Sequence, residues 1–240
     1  MAIKPNSFEF NFLFVLTIIL LTIKLIFSVF LFLRVLKRKQ KKGSFEFDFH
    51  FALFVLFICV FISEIFYMYF DFYLTEFDSD KYYLFENVIY YKIGGTIYLI
   101  GFAILLFTID KKLLEFKFKG VFSYILFLGA LFVLFYPITT AEEFEFVSLI
   151  EMIVVFVGGF IFPIVFLYFG IKVPKLRNVS FLFAFGIIVF ILGAALLGEV
   201  IVNPLREVYG IGILLVIWIF ALVLKIIGLI LITYSSIKFI

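Results

Sequence analysis

Six ionisable side chains stand inside long apolar runs of this chain: Lys24, Glu64, Lys92, Glu151, Glu199 and Lys225. An ionisable group at the centre of a membrane helix costs about 2.5–3.5 kcal/mol on insertion scales, which makes these residues the natural functional candidates. The chemistry open to them is recognition of a polar ligand, ion pairing and, for a lysine, a Schiff base with a carbonyl compound. Glu64, Lys92, Glu151 and Glu199 each fall within about two helical turns of one end of their runs. Glu64, Tyr67 and Asp71 stand at i, i+3 and i+7, one helix face, and Tyr91, Gly95 and Tyr98 make a similar stripe beside Lys92. These spacings predict a polar, aromatic-lined pocket formed by Glu64, Tyr67, Lys92, Tyr98, Glu151 and Glu199. The plainer alternative is that the same groups anchor helix ends at headgroup level, where Tyr is enriched and carboxylates are hydrated. Lys24 and Lys225 are deeper, and each must either find a carboxylate or snorkel toward the headgroups.

The elements that must position these groups follow from composition. Hydrophobic residues make up 66% of the 240 residues and charged residues 15%, against roughly 45–50% and about 25% in soluble domains. A chain of this kind cannot cover its own surface in water. Uninterrupted apolar runs predict seven spans, near 11–33, 49–70, 88–109, 121–138, 146–171, 179–202 and 210–234. The runs are continuous rather than alternating, which excludes membrane strands. The expected fold is therefore an all-α, polytopic seven-helix bundle forming a single domain, with the lipid bilayer as its main partner. The first run exceeds twenty residues, lacks a small-residue cleavage site and precedes the strongest basic cluster, so it reads as a retained helix.

Charge sets the expected orientation. Arg34, Lys37, Arg38, Lys39, Lys41 and Lys42 follow the first run, Lys111, Lys112, Lys117 and Lys119 the third, and Lys172, Lys175 and Arg177 the fifth; Lys238 is near the end. The opposite side collects Asp71, Glu76, Asp78, Asp80, Glu86, Glu142, Glu143, Glu145 and Glu207, with only Lys4, Lys81 and Arg206 as bases. By the positive-inside rule the N-terminus is outside and the C-terminus cytoplasmic, in the cell membrane. The cluster RVLKRKQKK is first a topology determinant, and it could also meet anionic lipid. Gly158, Gly159 and Pro163 predict a kink in the fifth helix. Gly186, Gly193, Ala194 and Gly198 predict close packing of the sixth.

Motifs of hydrolytic and metal chemistry are missing. The sequence has no HExxH, no GxSxG and no paired intramembrane aspartates; its one His, His50, stands at a membrane boundary, and Cys59 is its one cysteine. No enzyme activity, metal, cofactor or nucleic-acid partner is expected. VLKIIGLILI around Lys225 is similar to the retinal-bearing helix of microbial rhodopsins. It departs from them at Ala221, where they carry an aspartate, and in a third span without a mid-membrane carboxylate. ENVIYYKIGGTIYLIGFAILLFTIDKK resembles the third span of the seven-helix sensor regions that precede prokaryotic membrane histidine kinases. KVPKLRNVSFLFAFGIIVFILGAALLGE resembles their loop into a glycine-bearing sixth helix. Only six residues follow Tyr234, with no kinase among them. The resemblance thus implies a freestanding sensor-like module that signals through a cytoplasmic or membrane partner. A transporter or permease subunit, or a structural or assembly subunit of a membrane complex, are the alternatives.

Overall fold

The continuous apolar runs fold as helices because, in lipid, only a helix satisfies every backbone N–H and C=O within its own segment. The computed structural model describes residues 5, 7–43, 47–210 and 212–239, without the side chains of Lys41, Lys42, Glu199, Val200, Asn203, Arg206 and Glu207. Lys4, expected on the outer side, lies outside the described residues. In order the helices are α1 (Phe8–Lys42), α2 (Phe49–Tyr69), α3 (Phe85–Leu113), α4 (Val121–Phe135), α5 (Ala141–Lys172), α6 (Arg177–Ala195), α7 (Glu199–Tyr209) and α8 (Gly212–Lys238). Among the described residues there is no strand. Six of these helices, α1, α2, α3, α5, α6 and α8, are long and apolar enough to cross a membrane.

Two of the expected spans are shortened. The run 121–138 yields a helix of 15 residues, about 22 Å long against roughly 30 Å of hydrocarbon. It stops because Pro137 pushes the residue before it out of the helical region, and Tyr136 is extended at φ −61, ψ 127. The run 179–202 breaks after Ala195: Leu196 to Gly198 form a turn and α7 starts afresh at Glu199. Only 11 residues long, α7 has Ile201, Leu205 and Val208 on one face by helical spacing and is too short to cross a membrane. In the other direction, α1 overruns its expected end and carries the basic cluster on helix as far as Lys42.

The connections are tied by side chains. Asp48 caps α2, its Oδ1 accepting from the N–H of His50 and Phe51 at 3.0 Å each. Its Oδ2 also takes Arg38 Nη1 at 2.7 Å, and the same Nη1 lies 2.8 Å from His50 Nδ1. Between α3 and α4 the buried Asp110 accepts from the N–H of Phe118 at 3.1 Å and of Gly120 at 2.6 Å. Gly120 takes a left-handed φ of 75° there. α5 opens with a capping box: Glu143 Oε2 accepts from Thr140 N at 3.1 Å and Glu143 N donates to Thr140 Oγ1 at 3.3 Å.

The chain forms two compact units. Unit 1 comprises 21–158, and unit 2 comprises 3–20 with 159–240, so α1 and α5 each contribute to both. In unit 1, α2 packs on α3 through Gly101, where an added Cβ would lie 2.6 Å from Cys59 Cβ. α3 and α4 run antiparallel, with Ser123 Oγ donating to Ala103 O at 2.7 Å and Thr96 Oγ1 to Ala130 O at 3.4 Å. In unit 2 the closest pair is α6 with α8, at Gly186, Gly193 and Gly228. α5, where a kink is expected, is one continuous helix that carries Pro163 within it. Its Gly158 admits Leu126, and Gly159 admits Ile191.

Candidate functional site

Four helices of unit 1 bring polar groups together inside the apolar runs. Lys24 of α1 is 2% exposed and donates to Glu64 Oε2 of α2 at 2.6 Å. A lysine stem reaches about 6 Å from its backbone, and this lets a residue near the middle of α1 meet a carboxylate nearer the end of α2. Of the two fates open to Lys24, pairing is the one observed.

One turn beyond Glu64 on α2, the Tyr67 hydroxyl donates to Glu151 Oε1 of α5 at 2.7 Å. Glu151 is 7% exposed. Opposite it α3 carries Gly95, and an added Cβ there would lie 2.6 Å from Glu151 Oε1. The carboxyl therefore occupies the volume that a side chain on α3 would take. Tyr91 and Tyr98, one turn to either side of Gly95 on the same stripe, are both neighbours of the Glu151 carboxyl, and Tyr98 is also within electrostatic reach of Glu64. Three phenol hydroxyls, each able to give and to accept a hydrogen bond, thus stand around two carboxylates and one ammonium. Such a set can hold a proton or a small polar ligand and can exchange hydrogen bonds without moving the backbone.

Beyond the cluster an aromatic layer packs on Tyr91. Phe144 lies 4.8 Å from Tyr91 and 5.3 Å from Tyr82 by ring centroids, and Phe70 lies 5.6 Å from Tyr91 and 5.2 Å from Tyr82. Phe70 and Phe144 are both 2% exposed. Phe70 starts a π-helical turn, Phe70–Leu74, that ends α2, with Thr75 Oγ1 donating to Phe70 O at 2.8 Å.

Of the predicted pocket residues, Glu64, Tyr67, Tyr98 and Glu151 come together. Lys92 does not join them; its Nζ donates to Tyr136 O at 2.5 Å, on the C-terminal side of α4. One residue on a helix is a rotation of about 100°, and Lys92 is turned off the stripe that holds Tyr91. There it satisfies a carbonyl at the C-terminal end of α4, where the helix has stopped and offers no N–H from a following turn. Glu199 opens α7, and its side chain lies outside the described residues. Lys225 is 7% exposed on α8 in unit 2, where its backbone N would lie 3.0 Å from a Cβ on Gly193.

The aromatic layer and the room that Gly95 makes were not read from the sequence, although the Tyr91, Gly95, Tyr98 stripe pointed at the second. Asp110 is a further buried carboxylate, spent on the N–H groups of its own loop. Among the described residues no group of three His, Cys, Asp or Glu side chains is placed to hold a metal ion. No protein-family model matches this chain, and neither a curated protein nor a solved structure matches it.

Proposed function

We propose that this chain is a sensor-like multi-pass membrane module. Its receiving element is the cluster Lys24, Glu64, Tyr67, Tyr98 and Glu151, and its output passes to a partner protein at the basic loops. The reading takes α4 as a seventh crossing, with the N-terminus outside and the C-terminus cytoplasmic in the cell membrane. That arrangement puts Lys111, Lys112, Lys117 and Lys119 on the cytoplasmic side with the basic end of α1.

The observation that carries the reading is the buried Lys24–Glu64 pair set beside the tyrosine-held Glu151. Each ionisable group is costly in hydrocarbon, and together they join α1, α2, α3 and α5 through bonds that a change of charge or ligand would rearrange. Rearranging them alters the relative packing of helices whose other ends carry the basic loops. The likeness of the third and sixth spans to prokaryotic kinase sensor regions agrees with this reading.

The test is purification of the tagged full chain from its native membrane in mild detergent, with crosslinking. A cytoplasmic signalling protein crosslinked to the α3–α4 loop, and lost on reversing the charges of Lys111, Lys112, Lys117 and Lys119, is the expected result. A chain that recruits nothing and by itself moves a solute into proteoliposomes, with uptake lost in Glu64→Gln, would favour the second reading, an ion-coupled transporter. The intramembrane ion pair is the observation that favours that alternative.

A further inference from the structure

Glu151 is the part of the cluster that ion pairing does not explain. Oε1 takes the Tyr67 hydroxyl at 2.7 Å, while Oε2 is buried with no hydrogen-bond partner among the described residues. The groups that face the carboxyl can be named helix by helix. From α2 comes Tyr67, and from α3 come Tyr91 and Tyr98. Lys24 of α1 is engaged by Glu64 at 2.6 Å, and Lys92 of α3 is turned to Tyr136 O at 2.5 Å. α4 meets this part of α5 through Gly129 against Val154 and Leu126 against Gly158, which brings no titratable group.

Among the described residues of unit 1 the immediate shell of Glu151 is therefore hydroxyl, not ammonium or guanidinium. An ionised carboxylate with only hydroxyl dipoles around it, at 7% exposure between membrane helices, costs far more than those hydrogen bonds return. A neutral carboxylic acid removes that cost. The 2.7 Å contact serves either state because a phenol hydroxyl can reverse its role. With the carboxylate, Tyr67 donates to Oε1; with the acid, the hydroxyl turns and Oε1–H donates to Tyr67 Oη. Oε2 then remains as a carbonyl oxygen, whose missing partner is a smaller penalty than an unpaired charge. Gly95 keeps α3 clear of the group in both states.

We propose that Glu151 is a proton-binding site. The carboxylate takes one proton from the aqueous phase onto Oε1 and keeps it, the resulting acid O–H hydrogen-bonding to Tyr67 Oη, so that the ligand of the cluster is the proton itself. This deepens the sensor reading and rests on it for its biological meaning, since the stimulus becomes proton occupancy at Glu151.

The experiment is infrared spectroscopy of the full chain in lipid nanodiscs, reading the C=O stretch of a protonated carboxylic acid from mildly acidic to mildly alkaline pH, with and without sodium. The expected result is a band at neutral pH that is lost in Glu151→Gln, kept in Glu64→Gln, independent of sodium, and shifted in frequency in Tyr67→Phe, which removes its hydrogen-bond partner. Tyr67→Phe keeps the test decisive if Glu151→Gln does not fold, because an unshifted band there overturns the proposal. So does the absence of any band, a band that persists in Glu151→Gln, or one that appears only when sodium is withdrawn. The last result would assign the site to a metal cation. The spectrum is read without a signalling partner. A protonated Glu151 in a chain that transports solute would sink the sensor reading alone, and a bandless chain that still recruits its partner would sink this one alone.

Discussion

Glycine does opposite work in the two units. On α6 and α8, the glycines face backbone: an added Cβ on Gly228 would lie 2.7 Å from both Gly186 O and Phe190 N, and one on Gly193 2.8 Å from Ala221 O. The two main chains touch, and the contact is dry packing of the small-residue kind that membrane helices use when no hydrophobic force separates protein from lipid. On α3 the glycine at position 95 faces the end of a side chain, the Glu151 carboxyl. The clearances are nearly equal, at 2.6 Å and 2.7 Å, and the meanings differ because of the atom on the far side. A glycine against backbone sets the distance between helices, whereas a glycine against a carboxylate makes room for chemistry.

The largest expected effect comes from the ionic half of the cluster. Lys24→Met leaves Glu64 facing an apolar side chain. Loss of one partner of a buried pair costs about 3–5 kcal/mol, here toward the lower end because the Glu64 side chain keeps 18% exposure. Unfolding of the purified chain by heat or SDS reads it. The double change Lys24→Met, Glu64→Met should recover most of the loss, since two apolar side chains of similar volume are at home where the pair was. A double variant as unstable as the single would mean that Glu64 is held mainly by groups other than Lys24.

Gly228→Ala comes next. The methyl group meets Gly186 O and Phe190 N, neither of which can turn aside, so α6 and α8 must separate along their length. Overpacking of this kind costs about 1–3 kcal/mol, only partly offset by the gain of about 0.5–1 kcal/mol in helix propensity. Asp48→Ala is smaller. It removes the cap of α2 and the partner of Arg38 together, and loss of an N-cap costs about 1 kcal/mol. It should leave the accessibility of loop lysines to an impermeant reagent unchanged, because orientation depends on the basic residues and not on their partners. A change of sidedness in Asp48→Ala would show that the clamp with Arg38 and His50 takes part in setting topology.

Helices were legible in the sequence because hydropathy is a property of whole runs, and the six longest helices lie where the apolar runs do. Helix ends were less so. Tyr136 and Leu196 are as apolar in their surroundings as the residues before them, so a hydropathy window runs past both. The signal that ends α4 is the geometry imposed by Pro137 on its predecessor. In the cluster, same-face spacing puts Tyr91, Gly95 and Tyr98 on one stripe of α3, and Gly95 of that stripe faces Glu151. Distance along the sequence could not pair Lys24 with Glu64, because their depths differ and only the length and direction of the lysine stem close the gap. Lys92 was grouped with its neighbours by depth, whereas rotation about the helix axis, readable from the same residues, sends it to Tyr136 instead.

Gly95→Ala is the sharpest comparison and the smallest expected change in stability. The new methyl group would lie 2.6 Å from Glu151 Oε1 and 2.9 Å from its Cδ, so something must move, as in Gly228→Ala. Here the obstacle is the free end of a flexible side chain. Glu151 can rotate away at the expense of its bond with Tyr67, about 1 kcal/mol for an ordinary hydrogen bond. Alanine returns about 0.5–1 kcal/mol in helix propensity, and the two contributions nearly cancel. The expected result is a chain as stable as the parent in which Glu151 has lost its tyrosine partner, read as a shifted carboxyl band with an unchanged unfolding midpoint. A loss of stability equal to that of Gly228→Ala would mean that α3 and α5 are as tightly locked as α6 and α8. In that case Gly95 is a packing residue, and the contrast between the two units fails at the one position where both descriptions can be tested by the same substitution.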